Sequence, residues 1–370
     1  MITTPPFRQQ AAGQGAGLSA SLRLLLRQVS RSFDLSIRLL PPALQAPVAI
    51  GYLLARATDT VADTTALPLG QRQELLNMLT LVIGSTQHQP RQAEELARLT
   101  EDFAQHQSNP HERALMQALP QCWPLLHNLS EADQASVRQV LAHITRGQQL
   151  DMARFGPGLS ALQTEAELQD YTWLVAGSVG EFWTELCGRH LPGYSLLPQA
   201  DMLRVGREYG MGLQRLNIVR DAGADLASGR CYWPVETLAQ AGLTPALLAE
   251  AARQSQSQVP HPEALGAASL QALSPLYTQW LDHTQAQLTC GLRYALALKP
   301  WRLRLASALP ALIGARTVAL LRQTGPAALG QSIKMPRREL RALLWRIALG
   351  LGSTATIERQ FRRLSAEPAL

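Results

Sequence analysis

Two acidic pairs in this chain combine residue types and spacing that could do chemistry: Asp59-Thr60-Val61-Ala62-Asp63 and, about 160 residues later, Asp221-Ala222-Gly223-Ala224-Asp225. Each places aspartates at i and i+4 with an arginine close upstream, Arg56 in the first and Arg220 in the second. On a helix that spacing stacks both carboxylates on one face, where they repel unless a cation lies between them. If the two faces meet across a cavity, four carboxylates converge on an oxygen-rich site suited to Mg²⁺ carrying phosphate groups. A single pair of this kind is ordinarily a solvated helix face, so the weight falls on there being two with similar surroundings.

Those surroundings are ordered. Tyr52, Arg56, Asp59 and Asp63 follow in steps of four, three and four, which keeps them in a narrow sector of a helix turning about 100° per residue. Gly210, Gln214, Asn217, Asp221 and Asp225 do the same, with Arg220 and Arg230 nearby. Amides, acids and a glycine gather on one line while Leu216, Ile218 and Val219 occupy the other sides, so the stripe reads as an inward-facing polar wall. A buried polar wall requires ligands.

Helices must position these stripes. The chain has 370 residues, 46% hydrophobic and 17% charged, as befits a soluble globular protein with a sizeable core. Leu, Ala, Gln, Arg and Glu recur throughout and alternating β-branched runs are nearly absent, so the fold class is all-α. Periodicity predicts helices over residues 18–40, 43–63, 71–84, 91–107, 110–119, 130–155, 165–187, 201–226, 244–256, 269–298, 302–323 and 337–350. Ser130 reads as an N-cap, Pro47 as a first-turn proline and Gly156-Pro157-Gly158 as a stop. No linker divides the set, so residues 18–350 read as one helical domain between a flexible tail over 1–17 and a basic tail over 351–370. The small residues Ala176, Gly177 and Gly180 let a neighbouring helix or a ligand approach the backbone. Gly350 to Ala355 matches a dinucleotide fingerprint loosely, but it follows a helix rather than a strand and is discounted.

The net charge of +6 is concentrated in the last fifth, where arginines from Arg302 to Arg363 and Lys334 outnumber Glu339, Glu358 and Glu367. Such asymmetry suits an anionic membrane surface or a phosphorylated small molecule. Nucleic acid is set aside, because no aromatic interleaving or recognition module accompanies the arginines. Cys122, Cys187, Cys231 and Cys290 show no ligand spacing and read as ordinary thiols of a reducing, cytoplasmic setting. No signal-peptide core is expected at the N-terminus, and no run is expected to reach the roughly 20 apolar residues that span a bilayer. The closest, residues 340–351, is interrupted by Arg341 and Arg346. Membrane contact is expected to be peripheral, at the inner face, through the basic C-terminus.

Three segments carry a wider pattern: Ser30-Arg31-Ser32-Phe33 leading to Tyr52 through Asp63; Tyr171-Thr172-Trp173-Leu174-Val175-Ala176-Gly177-Ser178-Val179-Gly180; and Gln214 through Asp225 to Gly229-Arg230-Cys231-Tyr232-Trp233-Pro234. In order and spacing they resemble the squalene/phytoene synthase family of head-to-head prenyl transferases, clearly over residues 19–234 and weakly beyond. The resemblance implies a single isoprenoid-synthase-type helical bundle around a deep central cavity, with the acidic motifs facing each other near its mouth. It implies that Asp59, Asp63, Asp221 and Asp225 hold Mg²⁺ against the diphosphates of two farnesyl diphosphate molecules. Ser30, Arg31, Tyr52, Arg56, Gln214, Asn217, Arg220 and Arg230 would contact those diphosphates. Tyr171 matches a family tyrosine and is the candidate for assisting proton removal, with a structural role as the alternative.

Within the family, two features resemble squalene synthases, which pass through presqualene diphosphate and use NADPH. These are the Trp233-Pro234 ending and the basic loop Ser332 to Arg338. On that likeness Arg31, Arg56, Arg220 and Lys334 would meet the NADPH phosphates. Phytoene, dehydrosqualene or presqualene diphosphate formation without nicotinamide is the alternative. Ala62 stands where many squalene synthases carry a third acid, and Pro336 where an arginine is usual. A helical scaffold without catalysis is disfavoured because all four aspartates and the matching arginines are present. The protein is expected to act as a monomer in isoprenoid lipid biosynthesis.

Overall fold

Pro41-Pro42 separates the N-terminal helices from the one bearing the first acidic pair, because proline is tolerated where a helix start leaves its N–H unpaired anyway. The computed structural model describes residues 20–30, 33–64, 66–86, 90–156, 158–256, 265–350 and 352–366. Ala20–Ser30 (α1) and Phe33–Leu39 (α2) lead into Pro42–Asp63 (α3), followed by Leu69–Gly84 (α4), Pro90–Gln105 (α5), Pro110–His127 (α6) and Glu131–Arg154 (α7). Glu165–Thr172 (α8) continues through a π-helical turn, Trp173–Gly177, into Ser178–His190 (α9). Gln199–Ala227 (α10) carries the second acidic pair, and Val235–Gln240 (α11), Pro245–Gln256 (α12), Leu265–Ala297 (α13) and Trp301–Thr324 (α14) follow. A 3₁₀ stretch, Gly325–Gly330, precedes Arg337–Leu349 (α15) and Thr354–Ser365 (α16). Among the described residues the only strands are Ser160–Ala161 (β1) and Arg230–Cys231 (β2), which pair in parallel. The all-α class holds.

Two apolar clusters support the acidic helices. Leu53 of α3 packs with Leu76, Leu115 and Leu141 of α4, α6 and α7, whereas Leu216 of α10 packs with Leu288 and Leu312 of α13 and α14. Glycine lets α10 touch its neighbour backbone to backbone: a Cβ on Gly210 would lie 2.2 Å from the Ala176 carbonyl oxygen, and one on Gly180 would lie 2.0 Å from that of Gly206. Helix packing, rather than a ligand, therefore accounts for the small-residue patch. Gly210 belongs to this contact and not to the polar wall.

Several expectations are corrected by tertiary packing. The helix predicted over 110–119 runs on to His127 through Pro120 and Pro124, held by buried Cys122, Trp123 and Leu126. The rod predicted over 165–187 is broken by the π turn, and Pro47 lies beyond the first turn of α3, which starts at Pro42. Residues 354–365, read as tail, form a helix capped by Ser353 with Ile357, Phe361 and Leu364 buried. The segment 301–330 is long and apolar enough to cross a bilayer, contrary to expectation, yet 67% of its apolar window is buried inside the bundle. The tail expected over residues 1–17 lies outside the described residues.

The contact between the π turn and α10 sets a test. Gly210→Val forces a branched side chain against the Ala176 carbonyl and should destabilise the fold by about 1–3 kcal/mol or more. Thermal unfolding checks it, with a lowered Tm expected and an unchanged Tm contradicting the close approach.

Candidate active site

A cavity of about 1420 Å³ opens between α3, α7, the α8–α9 rod and α10. That exceeds the roughly 300–1,000 Å³ of ordinary small-molecule pockets. Tyr52, Arg56, Asp59 and Asp63 line it from α3, and Gln214, Asn217, Asp221 and Asp225 from α10. The structure thus brings the two stripes onto one space. The remaining wall mixes apolar residues, Val48, Ile144, Val175 and Phe182 among them, with polar ones such as Gln148 and Asp151. Ser30, at the end of α1, also lines it, and its buried hydroxyl has no hydrogen-bond partner among the described residues.

Arginines partly compensate the carboxylates. The Arg56 guanidinium donates to Asp59 through one nitrogen and to Glu112, from α6, at 2.7 Å through the other. Arg220 grips Asp221 with two bonds, Nε donating to Oδ1 at 2.8 Å. Arg230 reaches both acidic helices, lying 3.4 Å from Asp225 and 3.8 Å from Asp63. Local backbone holds Arg230 there: α10 ends in a turn through Gly229 at φ 81°, and β2 then pairs with β1. A Cβ on Gly229 would lie 2.5 Å from the Gly158 carbonyl oxygen, so the turn and the close approach both require glycine.

Compensation is incomplete. Burial raises the Asp59 pKa, and the charge of Asp63 adds to the effect against the opposing pull of Arg56. Asp225 is pushed up to about 6 by burial; Arg230 opposes the shift, while Asp221 and Asp63 add to it. The Asp59 side chain keeps 43% of its surface accessible, but that surface faces the cavity rather than bulk solvent. Among the described residues, no three carboxylate, imidazole or thiol groups converge on one point. This donor set fits Mg²⁺, which takes one or two carboxylates and completes its shell with water and substrate phosphates rather than an all-protein cage.

Polar neighbours complete the wall: the Tyr52 hydroxyl donates to the Val29 carbonyl at 3.4 Å, and Asn217 donates to Gln214 at 3.3 Å. Other expected residues are placed elsewhere. Arg31 lies outside the described residues, Arg220 is turned to Asp221 without lining the cavity, and Lys334 is exposed between the 3₁₀ stretch and α15. Of the three described residues expected at nicotinamide phosphates, Arg56 lines the cavity and Arg220 and Lys334 do not. Trp233, from the motif read as squalene-like, is buried against Trp280 with ring centroids 4.4 Å apart and is a packing residue.

Sequence reasoning missed Glu112, Asp151 and Tyr232. Tyr171 is buried and stacks on Tyr232, centroids 5.1 Å apart, and the Tyr232 hydroxyl donates to Asp151 Oδ2 at 2.5 Å. Burial pushes Asp151 up to about 6, against hydrogen bonding from Tyr232 and Tyr171 and the charges of Arg230 and Arg154. A signal existed in the helix that carries it: Ile144, Gln148, Asp151, Met152 and Phe155 recur at helical spacing and all face the cavity.

Known proteins share sequence and fold with this chain. The family model for squalene/phytoene synthase matches residues 26–339. A bifunctional lycopene cyclase/phytoene synthase of Phaeosphaeria nodorum is 29% identical over 62% of this chain and 36% of its own length. The squalene synthase of Saccharomyces cerevisiae is 28% identical over 58% of this chain and 45% of its own length. The chain therefore spans less than half the length of these two relatives. Among solved structures, a complex of TcSQS with the ligand BPH1237 superposes with a TM-score of 0.68 at 19% identity, covering 93% of this chain and 89% of that one. Squalene synthase HpnC from Alicyclobacillus acidocaldarius gives 0.53 at 22% identity, covering 82% and 93%. With a family match over most of its length and the same fold in these structures, the chain belongs to the squalene/phytoene synthase family, whose members are prenyltransferases.

Proposed function

We propose that the protein condenses two farnesyl diphosphate molecules head to head through presqualene diphosphate and delivers squalene. The observation that carries the condensation is the pair of acidic helices facing each other across one large cavity that also carries apolar wall. Mg²⁺, when bound, would neutralise the departing diphosphate. Arg56 and Arg230 orient phosphate oxygens with planar, forked donors, and the open hydroxyl of Ser30 adds another. Val48, Ile144, Val175 and Phe182 keep water from the allylic cation, which adds to the double bond of the second substrate. Loss of a proton then closes the cyclopropane, with Tyr171 beside the cavity to assist. Squalene as final product rests on likeness to squalene synthases, and no reduction step is assigned to residues here.

The same reading places the protein in the cytoplasm, touching the inner membrane face through α15. That helix exposes Trp345 at 70% and Leu349 at 80%, one turn apart, with Arg338, Arg341 and Arg346 exposed around them. Apolar anchors among cations suit an anionic lipid surface.

Three experiments test these points. Purified protein given labelled farnesyl diphosphate and Mg²⁺ should yield squalene only with NADPH. Phytoene, dehydrosqualene or a halt at presqualene diphosphate would replace squalene as the product. Asp59→Asn with Asp221→Asn should lower turnover by about 10²-fold or more with helicity unchanged; full activity would remove the metal argument. In vesicle flotation the protein should bind phosphatidylglycerol vesicles over neutral ones, and Trp345→Ala with Leu349→Ala should weaken binding about tenfold or more. Equal binding to both vesicle types would refute the lipid surface.

A further inference from the structure

We propose that Asp151, acting through Tyr171 and Tyr232, is the acceptor of the proton lost when the cyclopropane ring closes. The inference rests on the condensation reading above. Its geometry is a three-residue cluster at the cavity wall, built from α7, α8 and the segment after β2. Asp151 Oδ2 accepts the Tyr232 hydroxyl at 2.5 Å, and Tyr171 stacks on Tyr232 close enough to feel the Asp151 charge. Among the described residues no ion pair closes on Asp151. Arg154 is paired with Glu167 at 3.4 Å, and Arg230 is drawn to Asp225 and Asp63. The carboxylate is thus held ready beside two phenols instead of being spent on a salt bridge.

The chemistry needs such an acceptor. Burial first, then the neighbouring Asp151 charge, holds the Tyr171 pKa well above the usual tyrosine value, so Tyr171 does not act as a phenolate. A C–H bond on the carbon 1,3 to the cationic centre, whose electron pair can reach that centre as the proton leaves, is acidic enough for a neutral phenol oxygen to take its proton, provided the phenol passes its own hydrogen on. The C–H electron pair becomes the ring-closing C–C bond and the proton moves to Tyr171 Oη. The Tyr171 hydrogen passes to the Asp151 carboxylate, directly or by way of Tyr232. The tyrosines end as they began, Asp151 ends as a neutral acid, and no oxidant or reductant is consumed. Water would perform the same task only by also quenching the cation.

Charged and titratable groups facing Asp151 are Tyr171, Tyr232, Arg154 and Arg230, with Glu167 and Asp225 behind the two arginines. Asp225 titrates in the same range as Asp151, about 6, so overall rate against pH would mix the two. The ratio of cyclopropyl product to diphosphate released separates them, because diphosphate departure depends on the acidic pairs and ring closure on Asp151.

The test uses the full chain with farnesyl diphosphate and Mg²⁺, scoring released diphosphate, presqualene diphosphate and farnesol-type alcohols. Asp151→Asn should lower ring closure by about 10²-fold while diphosphate release falls by roughly threefold or less, with alcohols making up the difference. In the wild type the product-to-diphosphate ratio should fall as pH drops through about 6 and Asp151 becomes protonated; in Asp151→Asn it should be low and flat. Asp151→Glu should recover part of the ratio. Should Asp151→Asn fail to fold, Tyr232→Phe, which keeps the carboxylate and removes one bond to it, should shift the ratio in the same direction. A ratio unchanged at every pH in these variants would overturn the proposal, as would a parallel fall in both products. A wild type that releases no diphosphate would overturn the condensation reading and this inference with it.

Discussion

Like charge held on opposite sides of one cavity is the constraint on which the rest of the structure depends. Asp59 and Asp63 on α3 face Asp221 and Asp225 on α10, and burial raises Asp59 and Asp225 in spite of three arginines. Arg230 reaches both helices, yet at 3.4 and 3.8 Å it only bridges them loosely. A protein seeking stability alone would neutralise these groups or turn them outward, since like charges gathered around one cavity with incomplete compensation are destabilising. The arrangement therefore suits the proposed binding of cation and phosphate better than a purely structural role.

The scaffold is shaped to hold that arrangement. Glycines at 180 and 210 bring the α8–α9 rod and α10 into backbone contact, which sets Tyr171 beside the cavity and keeps the polar side of α10 turned into it. The turn at Gly229 and the short β1–β2 pairing do the same for Arg230 and Tyr232. Core leucines on both acidic helices face away from the cavity, so hydrophobic burial and the polar wall reinforce one orientation.

Much of this was legible in the sequence because it is periodic. The stripes on α3 and α10 need only the 3.6-residue repeat, and the all-α class follows from composition. What could not be read depends on chain segments far apart. Glu112 reaches Arg56 across 56 positions and Tyr232 reaches Asp151 across 81, and no local pattern announces either contact. Helix α16 was missed for another reason: its arginines read as a basic tail, although Ile357, Phe361 and Leu364 carry helical spacing. Pro120 and Pro124 likewise argued for a stop that buried Trp123 and Leu126 override. Trp233 shows the limit of a motif, since in this chain it packs against Trp280 and does not line the cavity.

The most direct measurement is proton release on Mg²⁺ binding, read by calorimetry at pH 6 in buffers of different ionisation enthalpy with an unreactive farnesyl diphosphate analogue present. Carboxylates half-protonated near that pH must shed their protons to hold the metal, so Asp225→Asn should remove roughly half a proton from the wild-type value. Asp59→Asn should lower it as well. Release unchanged in both variants would show that the facing aspartates do not hold the metal, and would contradict the account at its root.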